Sequence, residues 1–354
     1  MRTPPADGPI VLGILYPGLW QRGVPPLDDV VAGLRALDPR IEVVVETYDE
    51  GQYQRTLRGS EEGVAQARAD APEISDALRA LLGRVHAVLA LDLPFDAPTL
   101  APELRWVQAV GAGTAQLETA GLAAAGIGLT SAAGTNATGI AEFVVGRLLE
   151  ERKRFPALRE SQVRHAWEPQ YGLELAGTTV GLLGLGAINA AIARRLQAFD
   201  VEVLACRRSA KPGDTAPDVD TLYPSAAMHE MFGRCDTVVA AVPETPDTIG
   251  LMDAGAFAAM AAGSFFVNVG RGTLVDEPAL IAALQRGHLR GAALDVASEE
   301  PLPADHPLWD APNLSLSYHC SVSPSAMAGN LYRLWADNAR RWLAGEPLHN
   351  VVLP

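Results

Sequence analysis

Cysteine is scarce in this sequence, and the few cysteines form no pattern. Cys206, Cys235 and Cys320 are the three cysteines among 354 residues. Their odd number and wide separation argue against a disulfide framework, and no C-x-x-C pair or other metal-ligand spacing is present. We therefore predict no metal site, and we expect a protein of the reducing cytoplasm.

Basic residues are also in the minority. The 28 lysines and arginines against 42 aspartates and glutamates give a formal net charge of -14. Proteins that bind nucleic acid or anionic membranes carry a basic surface, which this balance opposes. We predict neither nucleic acid nor membrane as a partner. A small anionic substrate is compatible with the charge, provided that local arginines bind it.

Long apolar runs are absent as well. No stretch reaches the roughly 18 to 20 apolar residues that a membrane-spanning helix needs. The opening residues, MRTPPADGPIVLGILYPGLW, contain two early prolines and a short apolar run without a small-residue cleavage site. This pattern predicts a leading β-strand rather than a signal peptide, and we expect a soluble protein.

What the sequence does contain is an alternation of short apolar runs with helical patterns. A chain of this length predicts two domains, and the alternation predicts βαβ units with parallel strands. The predicted strands are Ile10–Tyr16, Ile41–Glu46, Val85–Leu91, Trp106–Val110, Val201–Cys206, Thr237–Ala241, Ser264–Val269, Ala292–Val296 and Leu314–Ser317. The polar segment 49–73 interrupts the pattern, and we expect it to be an exposed excursion, partly helical and partly mobile, outside the core.

A glycine-rich turn, GLGAIN, occupies residues 184–189 between a predicted strand and a helix. Gly184 permits the tight turn, and Gly186 lets the backbone approach a pyrophosphate at the helix N-terminus, where Ala187 and Ile188 begin the helix. Asn189 stands where a third glycine is usual, so we expect looser packing between helix and sheet. The motif predicts a dinucleotide site.

The strand after this helix ends in two arginines, Arg207 and Arg208. An NAD site places an acidic side chain there to accept a hydrogen bond from the ribose 2'-hydroxyl. Two guanidinium groups suit a 2'-phosphate instead, because arginine binds phosphate oxygens bidentately. We therefore predict NADP as the cofactor. NAD stays the alternative, as does a solvated loop with two charges.

Three polar residues at predicted strand ends suggest a catalytic site. Arg271 lies between Gly270 and Gly272 after an apolar strand, where ligands bind in open parallel sheets. An imidazole such as that of His319 exchanges protons near neutral pH, a carboxylate such as Glu300 favours its protonated form, and a guanidinium binds a substrate carboxylate. Each residue alone has an ordinary structural explanation, and the combination favours catalysis.

These motifs, in this order, resemble the D-2-hydroxyacid dehydrogenase family. The resemblance runs over roughly residues 85–345 and rests on GLGAIN, on VNVGRGTLVDEPAL, on GAALDVASEEPLP and on a late histidine. It implies that Arg271 binds the substrate carboxylate and carbonyl, that Glu300 holds His319, and that His319 is the acid/base. It further implies backbone contacts to substrate and side-chain or backbone contacts to cofactor. The substrate contacts are Gly111, Ala112 and Gly113, and the additional cofactor contacts are Pro243, Thr245, Val269, Gly270, Asp295 and His319.

The resemblance also implies an architecture. We expect an α/β protein in which a Rossmann domain with a doubly wound parallel sheet, residues 107–321, is inserted into a smaller flavodoxin-like substrate domain. The substrate domain would comprise residues 1–106 and 322–354. We further expect a homodimer formed through the cofactor domain, partly by the helix at 138–154.

The predicted function is hydride transfer between NADPH and a small 2-keto acid, with the glyoxylate/hydroxypyruvate reductases as the most similar branch. One alternative is an NAD-linked dehydrogenase of another D-2-hydroxy acid, such as a phosphoglycerate-like substrate. A second alternative is a dinucleotide-sensing, corepressor-like binding protein. The loss of any one of Arg271, Glu300 and His319 would favour this second alternative, and all three are present.

Overall fold

The computed structural model describes residues 2–21, 24–58 and 62–354, and the chain forms two compact units. The first comprises residues 1–135 and 324–354, and the second comprises residues 136–323. The predicted boundary lay between residues 106 and 107. The structure instead places residues 107–135 in the first unit, because strands Trp106–Ala109 and Gly128–Thr130 are hydrogen-bonded into its sheet.

The elements alternate along the chain as the sequence predicts. Up to residue 135 they are β1 (Ile10–Ile14), α1 (Leu27–Arg35), β2 (Ile41–Val45), α2 (Gly51–Arg58), α3 (Val64–Ala69), α4 (Asp76–Leu82), β3 (Ala87–Ala90), α5 (Ala97–Leu100), β4 (Trp106–Ala109), α6 (Ala115–Glu118) and β5 (Gly128–Thr130). The second unit contains α7 (Ala137–Arg152), α8 (Phe155–Val163), β6 (Thr179–Leu183), α9 (Ala187–Leu196), β7 (Glu202–Arg207), β8 (Thr221–Pro224), α10 (Met228–Phe232), β9 (Thr237–Ala240), α11 (Ala254–Ala259), β10 (Ser264–Asn268), α12 (Glu277–Gln285), β11 (Leu289–Leu294) and β12 (Leu314–Leu316).

The chain then returns to the first unit with α13 (Pro324–Ala344) and β13 (Val351–Leu353). Short 3₁₀ helices occupy Pro17–Trp20, Gln197–Phe199, Ser225–Ala227, Gly272–Leu274 and Pro307–Asp310. The six-stranded sheet of the first unit has the order β13-β5-β4-β3-β1-β2. Its strands are parallel except β13, which pairs antiparallel with β5. Strands β1, β3 and β4 are buried along their whole length, as continuous apolar runs predict.

The second unit is built on a seven-stranded parallel sheet with the order β12-β11-β10-β9-β6-β7-β8. From β6 the chain builds outward through β7 and β8, and from β9 it builds in the opposite direction. The strand order therefore reverses between β6 and β9, and ligands bind beyond the carboxyl ends of strands at such a switch point. These two sheets confirm the predicted α/β class and the doubly wound parallel architecture.

The polar segment 49–73 is partly helical and largely exposed, as the sequence predicts, but a few of its residues are buried. Arg58, at the end of α2, is 1% exposed and forms an ion pair with Glu50, which is 6% exposed. Arg58 also donates to the carbonyl of Leu93 at 2.7 Å and to Oγ1 of Thr119 at 2.8 Å. These pairings attach α2 to the loops of the first unit. Residues 59–61 of the segment lie outside the described residues.

Candidate active site

The turn that carries Arg271 packs closely between two other loops of the second unit. A Cβ at Gly270 would lie 2.9 Å from the carbonyl oxygen of Val242, in the loop after β9. A Cβ at Gly272 would lie 1.9 Å from the backbone of Ala297, in the loop after β11. Neither position has room for a side chain, and this explains why the arginine lies between two glycines.

The backbone of this turn is held by Asn268, the fully buried last residue of β10. Its Nδ2 donates to the carbonyl of Arg271 at 2.8 Å, and its Oδ1 accepts from the N–H of Gly270 at 3.0 Å. Nη1 of the half-buried Arg271 donates to the carbonyl of Gly270 at 2.7 Å. A guanidinium has five N–H donors, so others can bind a carboxylate. The sequence pattern did not single out Asn268. A polar residue at the end of an apolar strand is the signal that could have indicated it.

His319 and Glu300 are in direct contact. Nδ1 of His319 lies 2.8 Å from Oε2 of Glu300, and Oε1 of Glu300 accepts from the N–H of Ala297 at 3.1 Å. The two side chains are 49% and 35% exposed, so the pair is accessible. Because Nδ1 is engaged by the carboxylate, Nε2 is the nitrogen left to exchange a proton with a ligand. The structure thus brings together two of the three residues predicted to be catalytic.

Asp295 organises the turn that carries His319. Its buried carboxylate accepts from Oγ of Ser317 at 2.7 Å and from the N–H groups of Cys320 and Ser321, both at 3.0 Å. Its backbone carbonyl accepts from the N–H of His319 at 2.7 Å. The resemblance implies a cofactor contact for Asp295. In the structure its hydrogen bonds anchor residues 317–321.

The turn at 184–186 has the form of a phosphate cradle. Gly184 has a φ of +83°, and a Cβ there would lie 2.6 Å from Cγ1 of Val242, so glycine is required. Gly186 is the N-cap of α9 without a side-chain cap, and a Cβ there would meet no atom within 4 Å. The first N–H groups of α9, which begins at Ala187 and Ile188, have no partner within the helix. This open, positively polarised end fits a pyrophosphate.

Asn189 strengthens this turn rather than loosening it. The side chain is fully buried, and its Nδ2 donates to the carbonyls of Leu183 and Gly184 at 2.9 and 2.7 Å. These bonds oppose the looser packing expected from the sequence, while Oδ1 of Asn189 is buried with no hydrogen-bond partner among the described residues. The amide ties the first turn of α9 to the end of β6, a task that the usual third glycine cannot perform.

The two predicted 2'-phosphate ligands follow the cradle in the sheet. Arg207 ends β7, which pairs with β6 so that Cys206 lies opposite Leu183. Its Nε is buried and lacks a hydrogen-bond partner within residues 2–21, 24–58 and 62–354. Arg208 is 82% exposed and lies 3.5 Å from the carboxylate of Asp247. Two guanidinium groups thus lie side by side at the carboxyl end of β7.

The remaining predicted residues lie in loops at strand ends. Pro243 and Thr245 follow β9, in a turn held by Thr248, whose Oγ1 donates to the carbonyl of Pro243 at 2.7 Å and accepts from the N–H of Thr245 at 2.8 Å. Val269 follows β10 and is buried. In the first unit, residues 111–113 follow β4, and the carbonyl of Gly111 accepts from the N–H of Ala132 at 2.8 Å.

The predicted site residues of the second unit lie along the carboxyl-terminal edge of its sheet. The cradle follows β6, the arginine pair ends β7, the Arg271 turn follows β10, Asp295 follows β11, and His319 follows β12. The carboxyl ends of parallel strands meet at a single edge, so the sheet collects these groups along it.

Among the described residues, no cluster of three histidine, cysteine or carboxylate side chains is placed to hold a metal ion. Nor does any helix in the described ranges combine the length and apolarity needed to cross a bilayer.

Comparisons with known proteins identify the family of this chain. Residues 145–321 match the family model for the NAD binding domain of D-isomer specific 2-hydroxyacid dehydrogenase. The chain is 32% identical over 255 residues to D-3-phosphoglycerate dehydrogenase of Mycobacterium tuberculosis, with 71% of this chain and 47% of that protein covered. It thus spans about half the length of that relative.

Two further relatives are covered more fully. Glyoxylate reductase of Thermofilum pendens is 32% identical over 255 residues, with 70% of this chain and 74% of that protein covered. The solved structure of a D-isomer specific 2-hydroxyacid dehydrogenase from Xanthobacter autotrophicus Py2, in complex with NADPH and MES, is 27% identical. It superimposes with a TM-score of 0.73, covering 97% of this chain and 98% of that one.

Proposed function

The chain belongs to the D-isomer specific 2-hydroxyacid dehydrogenase family, and from this premise we propose that it is an NADPH-preferring reductase of small 2-keto acids. The match to the family model confirms the predicted family and the predicted nicotinamide-dinucleotide-binding domain. The observation that carries the proposal is the 2.8 Å contact between His319 and Glu300 at the sheet edge that also holds Arg271. An imidazole paired with a carboxylate is suited to proton transfer at neutral pH.

Each residue has a defined task in the proposed reaction. The chemistry supplied by the bound cofactor is hydride transfer. The guanidinium of Arg271 binds the substrate carboxylate and orients the keto group. His319 donates a proton from Nε2 to the carbonyl oxygen as negative charge develops there, while Glu300 holds Nδ1 and stabilises the protonated ring.

The cofactor preference rests on Arg207 and Arg208. We expect wild type to show a KM for NADPH at least about tenfold below that for NADH, which corresponds to about 1.4 kcal/mol. Arg207→Asp should reverse the preference by repelling a 2'-phosphate and accepting from a 2'-hydroxyl. Arg194→Asp makes the same charge change at the other end of α9 and serves as the control. Equal KM values for both cofactors in wild type would contradict the preference.

The substrate class is a small anionic 2-keto acid, and we favour glyoxylate and hydroxypyruvate. The glyoxylate reductase of Thermofilum pendens, at 32% identity, supports this choice. The mycobacterial D-3-phosphoglycerate dehydrogenase, at the same identity, supports an NAD-linked enzyme for a phosphorylated substrate as second candidate. Initial rates with glyoxylate, hydroxypyruvate and 3-phosphohydroxypyruvate, each with NADPH and NADH, separate the two. Turnover of the phosphorylated acid with NADH alone would favour the second, and no turnover with any pair would refute the enzyme proposal.

We further propose a homodimer formed through the second unit. The segment after α7 exposes large apolar side chains, and such patches commonly mark protein interfaces. They are Phe155, Leu158, Val163, Trp167, Tyr171 and Leu173. Light scattering should give a dimer for wild type and a monomer for the double variant Trp167→Glu, Tyr171→Glu. Tyr53→Glu, at a 70% exposed aromatic residue of the first unit, should remain dimeric. A monomeric wild type would overturn the proposal.

A further inference from the structure

Glu277 is a buried acidic residue to which the proposed reaction assigns no task. It is the first residue of α12 and is 6% exposed. The helix does not need it as a cap, because Oδ1 of Asp276 accepts from the N–H of Ala279 at 3.0 Å. A buried carboxylate is costly unless it is fully hydrogen-bonded, so its partners indicate what it does.

Both carboxylate oxygens of Glu277 bind one residue. Oε1 accepts from the N–H of Ser298 and Oε2 accepts from its Oγ, both at 2.8 Å. Nε2 of His306 lies 3.5 Å from Oε2. Hydrogen bonds to an ionised acceptor are about twice as strong as neutral ones. Ser298 is therefore held firmly at both its backbone and its side chain.

Ser298 lies in the turn that presents Glu300. Two other contacts shape this turn, namely the close approach of Gly272 to Ala297 and the hydrogen bond from the N–H of Ala297 to Oε1 of Glu300. Gly272 also follows Arg271 directly, and Glu277 lies five residues further along the same segment. The segment that carries Arg271 thus fixes the turn that carries Glu300.

We propose that Glu277 is a positioning residue for the proton-transfer pair. It holds Ser298 so that Oε2 of Glu300 meets Nδ1 of His319, and it acts through Glu300 without touching the reacting atoms. This inference rests on the proposed function, because it presupposes that His319 transfers the proton.

The test compares variants that remove different hydrogen bonds between Glu277 and Ser298. Glu277→Ala removes both acceptors, and we expect kcat for keto-acid reduction to fall about 10- to 100-fold with the KM values for substrate and cofactor nearly unchanged. Glu277→Gln retains an acceptor for the N–H of Ser298 and a donor for its Oγ, so it should recover most of kcat. Ser298→Ala, which keeps the backbone bond, should cost about threefold.

Two readouts separate positioning from a general structural effect. The loss in Glu277→Ala should fall on kcat and be recovered by Glu277→Gln, whereas a general structural defect would also raise the KM values. Adding Glu277→Ala to Glu300→Gln should reduce kcat little further, since residues that act in one chain of contacts are not additive. If Glu277→Ala does not fold, the same cycle is run with Ser298→Ala.

The outcomes are distinguishable from failure of the proposed function. If Glu300→Gln and His319→Gln both retain full activity, the proposed function fails. If those two lose activity while folded Glu277→Ala, or Ser298→Ala in its place, keeps wild-type kcat, the positioning role alone is refuted. Full additivity with Glu300→Gln would refute it as well.

Discussion

His319 meets Glu300 from an uncommon backbone conformation: its φ is +53°, and its Nδ1 lies 2.8 Å from Oε2 of the carboxylate. A non-glycine residue in the left-handed region is uncommon and is sustained by its surroundings. Here Asp295 supplies that support through its bonds to Ser317, Cys320 and Ser321. The orientation of the imidazole is therefore set by its neighbours rather than by local preference.

Removing either member of this pair should affect the reaction differently. A general acid contributes about 10² to 10⁴ in rate, so His319→Gln should lower kcat for reduction by that order. Glu300→Gln leaves the imidazole in place, and we expect a smaller loss. The neutral amide in Glu300→Gln can still accept a hydrogen bond from Nδ1, whereas His319→Gln removes the proton donor itself.

Steady-state rates at neutral pH measure both effects. Glu103→Gln, at an exposed position of the first unit, is a matched control for the loss of one carboxylate and should leave kcat unchanged. A wild-type rate in His319→Gln would exclude the imidazole as the acid.

The sequence predicted the second unit well because its signals are local. A strand, a glycine turn and a helix at 179–196 specify the cradle, and the same holds for the turn at Arg271. The short strands β5, β8 and β13 were not predicted. Tertiary pairing places them, because β13 pairs with β5, β5 pairs with β4 and β8 pairs with β7.

Contacts between distant segments account for the other differences. Gly272 must be a glycine because the backbone of Ala297 lies where a side chain would be. The side chain of Asn189 is hydrogen-bonded to the end of β6. The burial of Glu50 and Arg58 could not be foreseen, because their polar neighbours in sequence predict exposure and their partners lie in separate loops. Composition describes a segment, whereas burial depends on what packs against it.

The role of Asn189 leads to a prediction on cofactor binding. Asn189→Asp replaces a donor with a buried carboxylate facing the carbonyls of Leu183 and Gly184. The repulsion should distort the cradle and weaken NADPH binding at least about tenfold, with a lower melting temperature. Asn189→Gly removes the hydrogen bonds without adding charge and should weaken binding less. Fluorescence titration of NADPH against the apoprotein measures both, and unchanged affinity in Asn189→Asp would contradict the assigned role.

The ion pair between Arg58 and Glu50 leads to a prediction on stability. Arg58→Met strands a buried carboxylate and removes the bonds to Leu93 and Thr119, so we expect a loss of about 3 to 5 kcal/mol in the free energy of unfolding. The double variant with Glu50→Leu should lose less than the sum of the single variants, because no unpaired charge remains. Arg84→Met breaks an exposed pair with Glu42 and should cost less than about 1 kcal/mol. Urea unfolding measures all of these, and equal losses for Arg58→Met and Arg84→Met would refute the prediction.

The three cysteines should differ sharply in reactivity. Burial raises the pKa of the Cys206 thiol to about 11 and that of Cys235 to about 12, whereas Cys320 is exposed. The thiolate is the nucleophile, so a raised pKa keeps the two buried thiols neutral and unreactive at neutral pH. Mass spectrometry after iodoacetamide treatment of the native protein should find one alkylated cysteine, and all three after denaturation. Raising the pH toward 9 should leave Cys206 and Cys235 protected, because their pKa values lie above that range. Rapid alkylation of either buried thiol in the folded protein would show that the core of the second unit opens, contrary to the packing described.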